Sequence, residues 1–269
     1  MITGTSSGIG KETAILFAKK GWNVAATMRR SEDFSIFSDI KNITPYLLDV
    51  KDRGSVKSCI ERIVHDFGKI DVIVNNAGIY ATNPLELSSD DTIDDIVETN
   101  IKGVLSVTKA ILEHFRKNRS GIIVNVSSIA GCVTFPFQSI YHTSKWAIEG
   151  FSESLYYELK PLNIKVKVVE PGMVKTNIYN SVLNIHFEKY PNEYQDNFKK
   201  WHHYLMKNYE NGYSPRLDAN TIYNAVNSNK SKLRYTSDFT TKLVLFLRFL
   251  FPLSLFQKLV YKSTNLILL

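Results

Sequence analysis

Short apolar runs alternate with stretches of helical period from the start of the chain to Val169. The runs Val24-Ala25-Ala26-Thr27, Tyr46-Leu47-Leu48, 70–74, Ile122-Ile123-Val124-Asn125-Val126 and 165–169 predict strands. Their apolar character is mostly continuous, which marks strands covered on both faces. Between them, 11–20, Arg53–Phe67, a long region over 90–117 and Ser139–Leu159 repeat apolar residues every three or four positions, and predict helices. Gly21 and Gly68 stop the first two. Met1-Ile2-Thr3 is only a stub where a first strand belongs. Either that strand is unusually short or the natural chain starts a few residues earlier. Strands alternating with helices predict an α/β fold: a single doubly wound parallel sheet of the Rossmann type, with helices on both faces.

Beyond Thr176 the pattern loosens. Residues 177–213 are aromatic-rich and irregular; Ser214-Pro215 reads as a capped helix start. From Leu243 the chain is strongly apolar, but Arg248 and Pro252 interrupt it, so it is too short and broken to span a bilayer needing about 20 apolar residues. Two short helices are predicted there, because a proline ends or kinks a helix. With no repeat or low-complexity linker, we read one domain over 1–240, a candidate lid within it at 177–213, and an apolar helical C-terminal extension over 241–269.

Composition narrows the function classes. The net charge is +7, yet the lysines are scattered and no basic run interleaves with aromatics, so nucleic acid is not an expected partner. A mildly basic surface suits a phosphorylated small molecule. Cys59 and Cys132 stand in unrelated contexts without metal-ligand spacing, so neither a metal site nor a disulfide is expected. The chain opens on a polar, glycine-rich segment with no signal peptide ahead of it, and a cytoplasmic location is expected.

The candidate chemistry centres on Tyr141, with Lys145 four residues on and Ser128 thirteen before. Positions i and i+4 share a helix face. An ammonium there is expected to favour the phenolate and pull the phenol below its ordinary value of about 10. A hydroxyl from the preceding strand could bind the oxygen of a carbonyl or alcohol. Near the chain start, Gly4, Gly8 and Gly10 in Thr3-Gly4-Thr5-Ser6-Ser7-Gly8-Ile9-Gly10 would let backbone amides approach a pyrophosphate at a helix N-terminus.

These segments resemble the short-chain dehydrogenase/reductase family. The matching elements are the Thr-Gly-x-x-x-Gly-Ile-Gly loop, Asn75-Asn76-Ala77-Gly78, Asn100 in a long helix, Ser128, Tyr141-x-x-x-Lys145, and Pro171-Gly172-x-x-x-Thr176, in family order. The resemblance covers residues 1 to about 180 and points to the NADP-preferring branch of hydroxysteroid and retinol dehydrogenases. It implies that Tyr141 is the general acid for reduction and base for oxidation, and that Lys145 lowers its pKa and holds the nicotinamide ribose. Ser128 would bind the substrate oxygen, with Ser127 turned to the other face. Asn100 would distort its helix to hold a water in a proton relay. Gly4, Ser6, Ser7, Gly8, Ile9 and Gly10 would cradle the phosphates. Asn76, Ala77 and Gly78 would line the adenosine side, Asp49 would contact adenine, and Pro171, Gly172 and Thr176 would border the nicotinamide.

Cofactor choice rests on Met28-Arg29-Arg30, which carries no carboxylate before Glu32. A basic residue after the second strand accommodates a 2′-phosphate where an acidic one would select NAD. Arg29, helped by Ser6 and Ser7, therefore predicts NADP. The activity implied is interconversion of an apolar ketone or aldehyde and its alcohol, with a catalytically idle NADP(H) sensor or scaffold as the alternative. A homo-oligomer, dimer or tetramer, is expected. The aromatics of 177–213 read either as a lid for a lipid-like substrate or as packing, and His202 and His203 as packing or surface residues. The extension reads as a pocket wall against 177–213, an oligomer interface or a peripheral membrane contact, the first being preferred.

Overall fold

The computed structural model describes residues 1–183 and 185–266. Among these residues, seven strands form one parallel sheet in the order β3-β2-β1-β4-β5-β6-β7. They are β1 Ile2–Thr3, β2 Val24–Met28, β3 Ile43–Leu47, β4 Val72–Asn75, β5 Gly121–Val126, β6 Ile164–Glu170 and β7 Arg234–Thr236. The helices are α1 Gly8–Lys19, α2 Arg53–Phe67, α3 Asp90–Ile96, α4 Gly103–Asn118, α5 Ser139–Leu159, α6 Asn192–Glu210, α7 Arg216–Asn227, α8 Phe239–Leu250 and α9 Leu253–Thr264.

Strand alternation sorts the core into two layers. Ala25, Ile73, Ile123 and Val166 face α2, α4 and α5, where they meet Ile60, Ile63, Ile111, Phe115 and Leu155. Their neighbours Val24, Ala26, Val72, Val74 and Val124 face the other way, toward Phe17 of α1 and Ile222 and Val226 of α7. Both faces are therefore buried, which is why the strands read as continuous apolar runs. Pro45 lies within β3, an edge strand, where its missing N–H removes no ladder bond from the sheet centre. The sheet order reverses beside β1, which pairs β2 on one side and β4 on the other. Ligand crevices of open α/β sheets lie at such switch points, beyond the carboxyl ends of the strands.

Four features differ from the sequence expectation. The region 90–117 is not one regular helix: a π-helical turn at Val97–Lys102 separates α3 from α4 and contains Asn100. Segment 177–213 is not irregular throughout, because α6 buries Phe198, Trp201 and Leu205 on one face. Helix α7 starts at Arg216 with Pro215 just before it, and Ser214 Oγ accepts only a 3.4 Å bond from Arg216 N. Strand β7 was not apparent in the sequence; it pairs with β6 through Arg234 to Thr236. The extension forms the two expected short helices, with Pro252 immediately before α9.

Candidate active site

A cavity of about 640 Å³ opens at the carboxyl ends of the strands. Its lining brings together Gly4, Ser6, Ser7, Gly8 and Ile9 after β1, Arg29 after β2, Asp49 after β3, and Asn76, Ala77 and Gly78 after β4. Ser128 after β5, Tyr141 and Lys145 from α5, and Pro171, Gly172 and Thr176 after β6 complete it. Gly10 and Asn100 stand behind this lining rather than in it, and each holds part of it in place.

Gly10 packs against the base of the first loop. A Cβ there would sit 2.3 Å from the Gly4 carbonyl oxygen and 2.5 Å from Asn76 Nδ2. That amide is already committed, donating to Thr3 O at 2.9 Å and Gly4 O at 3.0 Å. Gly4 has φ +69°, and a Cβ on it would lie 2.8 Å from Ala77 Cα. The loop after β1 and the loop after β4 are thus pressed together by two missing side chains. Thr3 joins them further, since its Oγ1 accepts from Asn76 N and Ala77 N, each at 3.0 Å. Thr3 is thus a functional part of the loop motif through its side chain as well as its backbone.

Asn100 is 2 % exposed. Its Oδ1 accepts from Ile79 N at 2.9 Å; its Nδ2 donates to Ile79 O at 2.9 Å and to Ser144 Oγ at 3.1 Å. The π-turn that carries it therefore clamps the Gly78–Ile79 loop to the second turn of α5. Asp49 Oδ1 accepts from Lys51 N at 2.9 Å, so the carboxylate caps a turn as well as lining the cavity. Both arginines line the cavity beside Met28, and Arg30 is held at 3.2 Å by Asp33, which lines it as well.

The loop after β5 is set by its own polar groups. Ser128 Oγ accepts from Ala130 N at 3.1 Å. Buried His142 braces the same loop: one ring nitrogen lies 2.8 Å from Ala130 O, and Nε2 accepts from Phe135 N at 2.8 Å. Burial lowers the pKa of this imidazole, in keeping with a neutral ring donating through Nδ1 and accepting through Nε2. The Ser127 hydroxyl turns instead toward Gly131 and Glu149.

Electrostatics correct one expectation. Burial pushes the Tyr141 phenol up to about 12, opposed only by the hydrogen-bonding Ser128 hydroxyl. In the free protein the Lys145 ammonium does not offset that burial. It donates to Val126 O at 3.1 Å and lies 5.7 Å from the Tyr141 ring centroid. Burial lowers its own pKa to about 8, with Glu149 acting in the opposite sense. Helical spacing places the two groups on one face correctly, but desolvation outweighs their mutual effect.

Aromatic rings surround Tyr141 in the cavity. Tyr80 meets Tyr141 at 4.8 Å and Tyr179 at 4.9 Å, both edge-to-face. Trp201 of α6 donates to Thr82 Oγ1 at 3.0 Å and stacks on Phe135 at 6.1 Å. Of the aromatics in 177–213, Tyr179 lines the cavity, whereas Phe198 and Trp201 are buried in the cluster that holds Tyr80 and Tyr141. His202 has a packing role, with Nε2 2.8 Å from Val182 O. Tyr213 belongs to no motif and is a further bracing residue that only the structure reveals. Its hydroxyl accepts from Gly172 N at 2.9 Å and donates to Asp218 at 3.1 Å, which ties the loop after β6 to α7.

Behind α5, Cys132, Glu149 and Glu170 bring ligand-type atoms within 4.8 Å of one another. The cation facing them is Arg234, 3.0 Å from Glu149 and 3.6 Å from Glu170. This ion-paired cluster anchors β7 to α5 and β6.

Residues 1–184 match the short chain dehydrogenase family. The chain belongs to that family. An uncharacterized oxidoreductase of Bacillus subtilis is 35% identical across 98% of this chain and 97% of its own. The 3-ketodihydrosphingosine reductase of Bacteroides thetaiotaomicron is 35% identical over 80% of this chain and 78% of that protein. Among solved structures, ElxO with NADP bound is similar with a TM-score of 0.73 and 29% identity, covering 89% of this chain and 97% of that one. Family membership makes the chain an oxidoreductase with a nicotinamide cofactor. The cleft suits such a group: the loop after β1 is open to close approach through Gly4 and Gly8, both with positive φ, and hydroxyls and arginine surround it. Gly10→Ala is expected to weaken cofactor binding at least about tenfold and to lower the thermal midpoint by several degrees, because forced overpacking costs about 1–3 kcal/mol. Calorimetric titration and a melting curve check both; unchanged values would remove Gly10 from the cradle.

Proposed function

We propose that the chain is an NADP(H)-dependent oxidoreductase that interconverts an apolar ketone or aldehyde and its alcohol. The observation that carries this reading is the convergence of Ser128, Tyr141 and Lys145 on one cavity that Ile79, Tyr80, Ile178 and Tyr179 also line. When bound, the nicotinamide supplies or accepts the hydride. The Ser128 hydroxyl donates to the carbonyl oxygen and fixes its position. The Tyr141 phenol, neutral at ordinary pH in the free protein, gives its proton to the same oxygen as negative charge develops there. In the oxidation direction the phenolate takes the alcohol proton back. Lys145, held by Val126 O, supplies the cation that steadies the phenolate and a donor toward the ribose hydroxyls. Asn100 positions this set by fixing Ile79 against α5.

Two further features support the finer terms of the reading. One relative is by name a reductase of a keto lipid, which accords with the apolar wall. Arg29 beside Met28 offers a forked, charge-assisted partner to a 2′-phosphate, and ElxO is a related protein seen with NADP. A homo-oligomer belongs to the same reading, since Leu105, Trp146 and Tyr157 stand exposed on α4 and α5.

Arg29→Ala should weaken NADPH binding roughly 10- to 100-fold, as expected for a hydrogen bond to a charged group, and leave NADH binding nearly unchanged. Adding Met28→Asp should turn preference toward NADH. Dissociation constants for both cofactors decide this; a double variant still favouring NADPH sinks the assignment. The function itself is tested by following NADPH consumption with long-chain aldehydes, steroid ketones, retinal and ketoacyl compounds. Turnover of an apolar member is expected. NADPH binding without consumption of any of them would favour the sensor or scaffold alternative.

A further inference from the structure

The C-terminal helices carry an apolar surface that the fold leaves uncovered. Among the described residues, nine of the sixteen large apolar side chains that stand exposed lie between Phe239 and Tyr261. On α8, Phe239, Leu243, Phe246 and Leu250 recur at three- and four-residue intervals and form one stripe, with Phe249 beside it. Phe239 is 78% exposed and Phe249 88%. A few scattered exposed apolar residues are ordinary, but a contiguous stripe of this kind marks a contact surface.

The other face of the same hairpin is already engaged. Thr241 is buried against Gly172, where a Cβ would come within 2.2 Å of its hydroxyl, and Asp238 caps α8 by accepting from Thr241 N at 2.9 Å. Phe256 is buried and carries Arg248 over its ring at 5.7 Å. Helix α9 packs on α6. The cavity lining described above runs no further along the chain than Ser181, so the exposed stripe does not wall the candidate active site.

Charge indicates the occupant. After Asp238 the sequence contains no aspartate or glutamate, while Lys242, Arg248, Lys258 and Lys262 are all cationic. Two copies meeting stripe to stripe would bring these like charges together, which opposes a symmetric pairing. A surface that is apolar in depth and anionic at its boundary complements both features. Helix α8 has 12 residues, about 18 Å at 1.5 Å per residue, against a hydrocarbon core of about 30 Å. Among the described residues no helix is long and apolar enough to cross a membrane. Lying flat in the interface is the arrangement left for a short helix with an apolar stripe and basic flanks.

We infer that α8 and α9 form an interfacial docking element for anionic bilayers, with Phe239, Phe246 and Phe249 inserted and Lys242, Lys258 and Lys262 toward the headgroups. Because α8 starts against Gly172, docking would bring the cavity's β6 loop close to the lipid surface. Docking holds whether or not the site turns over an apolar ketone.

Co-sedimentation of the full chain with vesicles tests it, using phosphatidylcholine alone and phosphatidylcholine containing phosphatidylglycerol. Binding to the mixed vesicles is expected, weakening with salt and falling at least about tenfold for neutral ones, since each basic residue near an anionic surface contributes about 1 kcal/mol. Phe246→Ser with Phe249→Ser should abolish binding, and Lys242→Gln with Lys258→Gln and Lys262→Gln should remove its preference for phosphatidylglycerol. All five positions are exposed, so melting temperature and NADPH affinity should stay at wild-type values and certify the fold. Absence of binding to the mixed vesicles would overturn the inference. So would an equal response to both vesicle types, or a solution dimer that Phe246→Ser with Phe249→Ser dissociates while vesicle binding is unaffected. Truncation after Thr241, which keeps Asp238 and Thr241 in place, should likewise lose vesicle binding. If it instead loses apolar-substrate turnover with vesicle binding intact, the extension serves the pocket and not a membrane.

Discussion

Tyr141→Phe is expected to lower NADPH-dependent ketone reduction by roughly 10²- to 10⁴-fold, the range typical of a lost general acid, while NADPH affinity stays within about twofold. The two halves of this expectation come from different contacts. The phenol is buried and interacts with the Ser128 hydroxyl, and both side chains line the cavity. The ring rests edge-to-face on Tyr80 at 4.8 Å, a contact that phenylalanine retains. Lys145 is held by Val126 O, not by the phenol, so its position does not depend on the lost hydroxyl. With the phenol up at about 12, the proton to be donated is present across the whole neutral range. Its removal takes away the acid assigned to the developing alkoxide and leaves the Ser128 hydroxyl to bind that oxygen without it. Steady-state rates with a turned-over apolar ketone, together with a fluorescence titration of NADPH, test both halves. A variant retaining more than a tenth of the wild-type rate would remove Tyr141 from the role.

The sequence was most informative where local rules act alone. Helix α2 begins and ends where its pattern placed it because Asp52 Oδ1 accepts from Gly54 N at 2.7 Å and Gly68 takes φ +77° just past the end. The double-sided sheet was legible in continuous runs such as Val72-Ile73-Val74, whose alternate residues serve opposite layers. What escaped depends on partners far away in the chain. Arg234–Thr236 is a strand because β6 lies beside it and Arg234 pairs with Glu149 and Glu153, none of which three residues can announce. In α6 the apolar spacing Phe198, Trp201, Leu205 was present, but the surrounding polar and tyrosine positions obscured it. Weighing that triplet by period alone would have found the helix.

The candidate site divides in the same way. Apart from Gly10 and Asn100, which stand behind it, the motif residues predicted from spacing converge on one cavity, because the turns after successive strands all open at one edge of the sheet. Residues that brace those turns were silent. His142, Tyr213 and Thr82 act through a carbonyl, an amide and an indole that lie on other elements. Charge balance was the least legible part. Sequence spacing counts a lysine near a tyrosine, but not the desolvation that moves both pKa values in the direction of the neutral form.

That desolvation gives Lys145 its own test. Its ordinary value is 10.5, lowered to about 8 in the folded protein. Below pH 8 the fold keeps a buried ammonium, which disfavours folding relative to an unfolded chain where the group is solvated. Between 8 and 10.5 the folded state binds fewer protons than the unfolded one, so this group's contribution to stability rises with pH across that window. Lys145→Met keeps most of the stem and removes the charge. Its thermal midpoint at neutral pH is therefore expected to equal or exceed that of the wild type, despite the loss of the bond to Val126 O. Function should move the opposite way. Turnover should fall by roughly 10²-fold or more through loss of the cation that steadies the phenolate. NADPH affinity should fall roughly tenfold, as for a lost charge-assisted hydrogen bond. Wild-type NADPH affinity should also decline as pH rises through about 8 and the ammonium loses its proton, whereas the variant should show no decline of its own there. Calorimetric titrations on both sides of that pH, paired with melting curves, measure all of these. Equal pH slopes in wild type and variant would show that Lys145 does not hold the cofactor, and a large loss of stability at neutral pH would show that its role is structural.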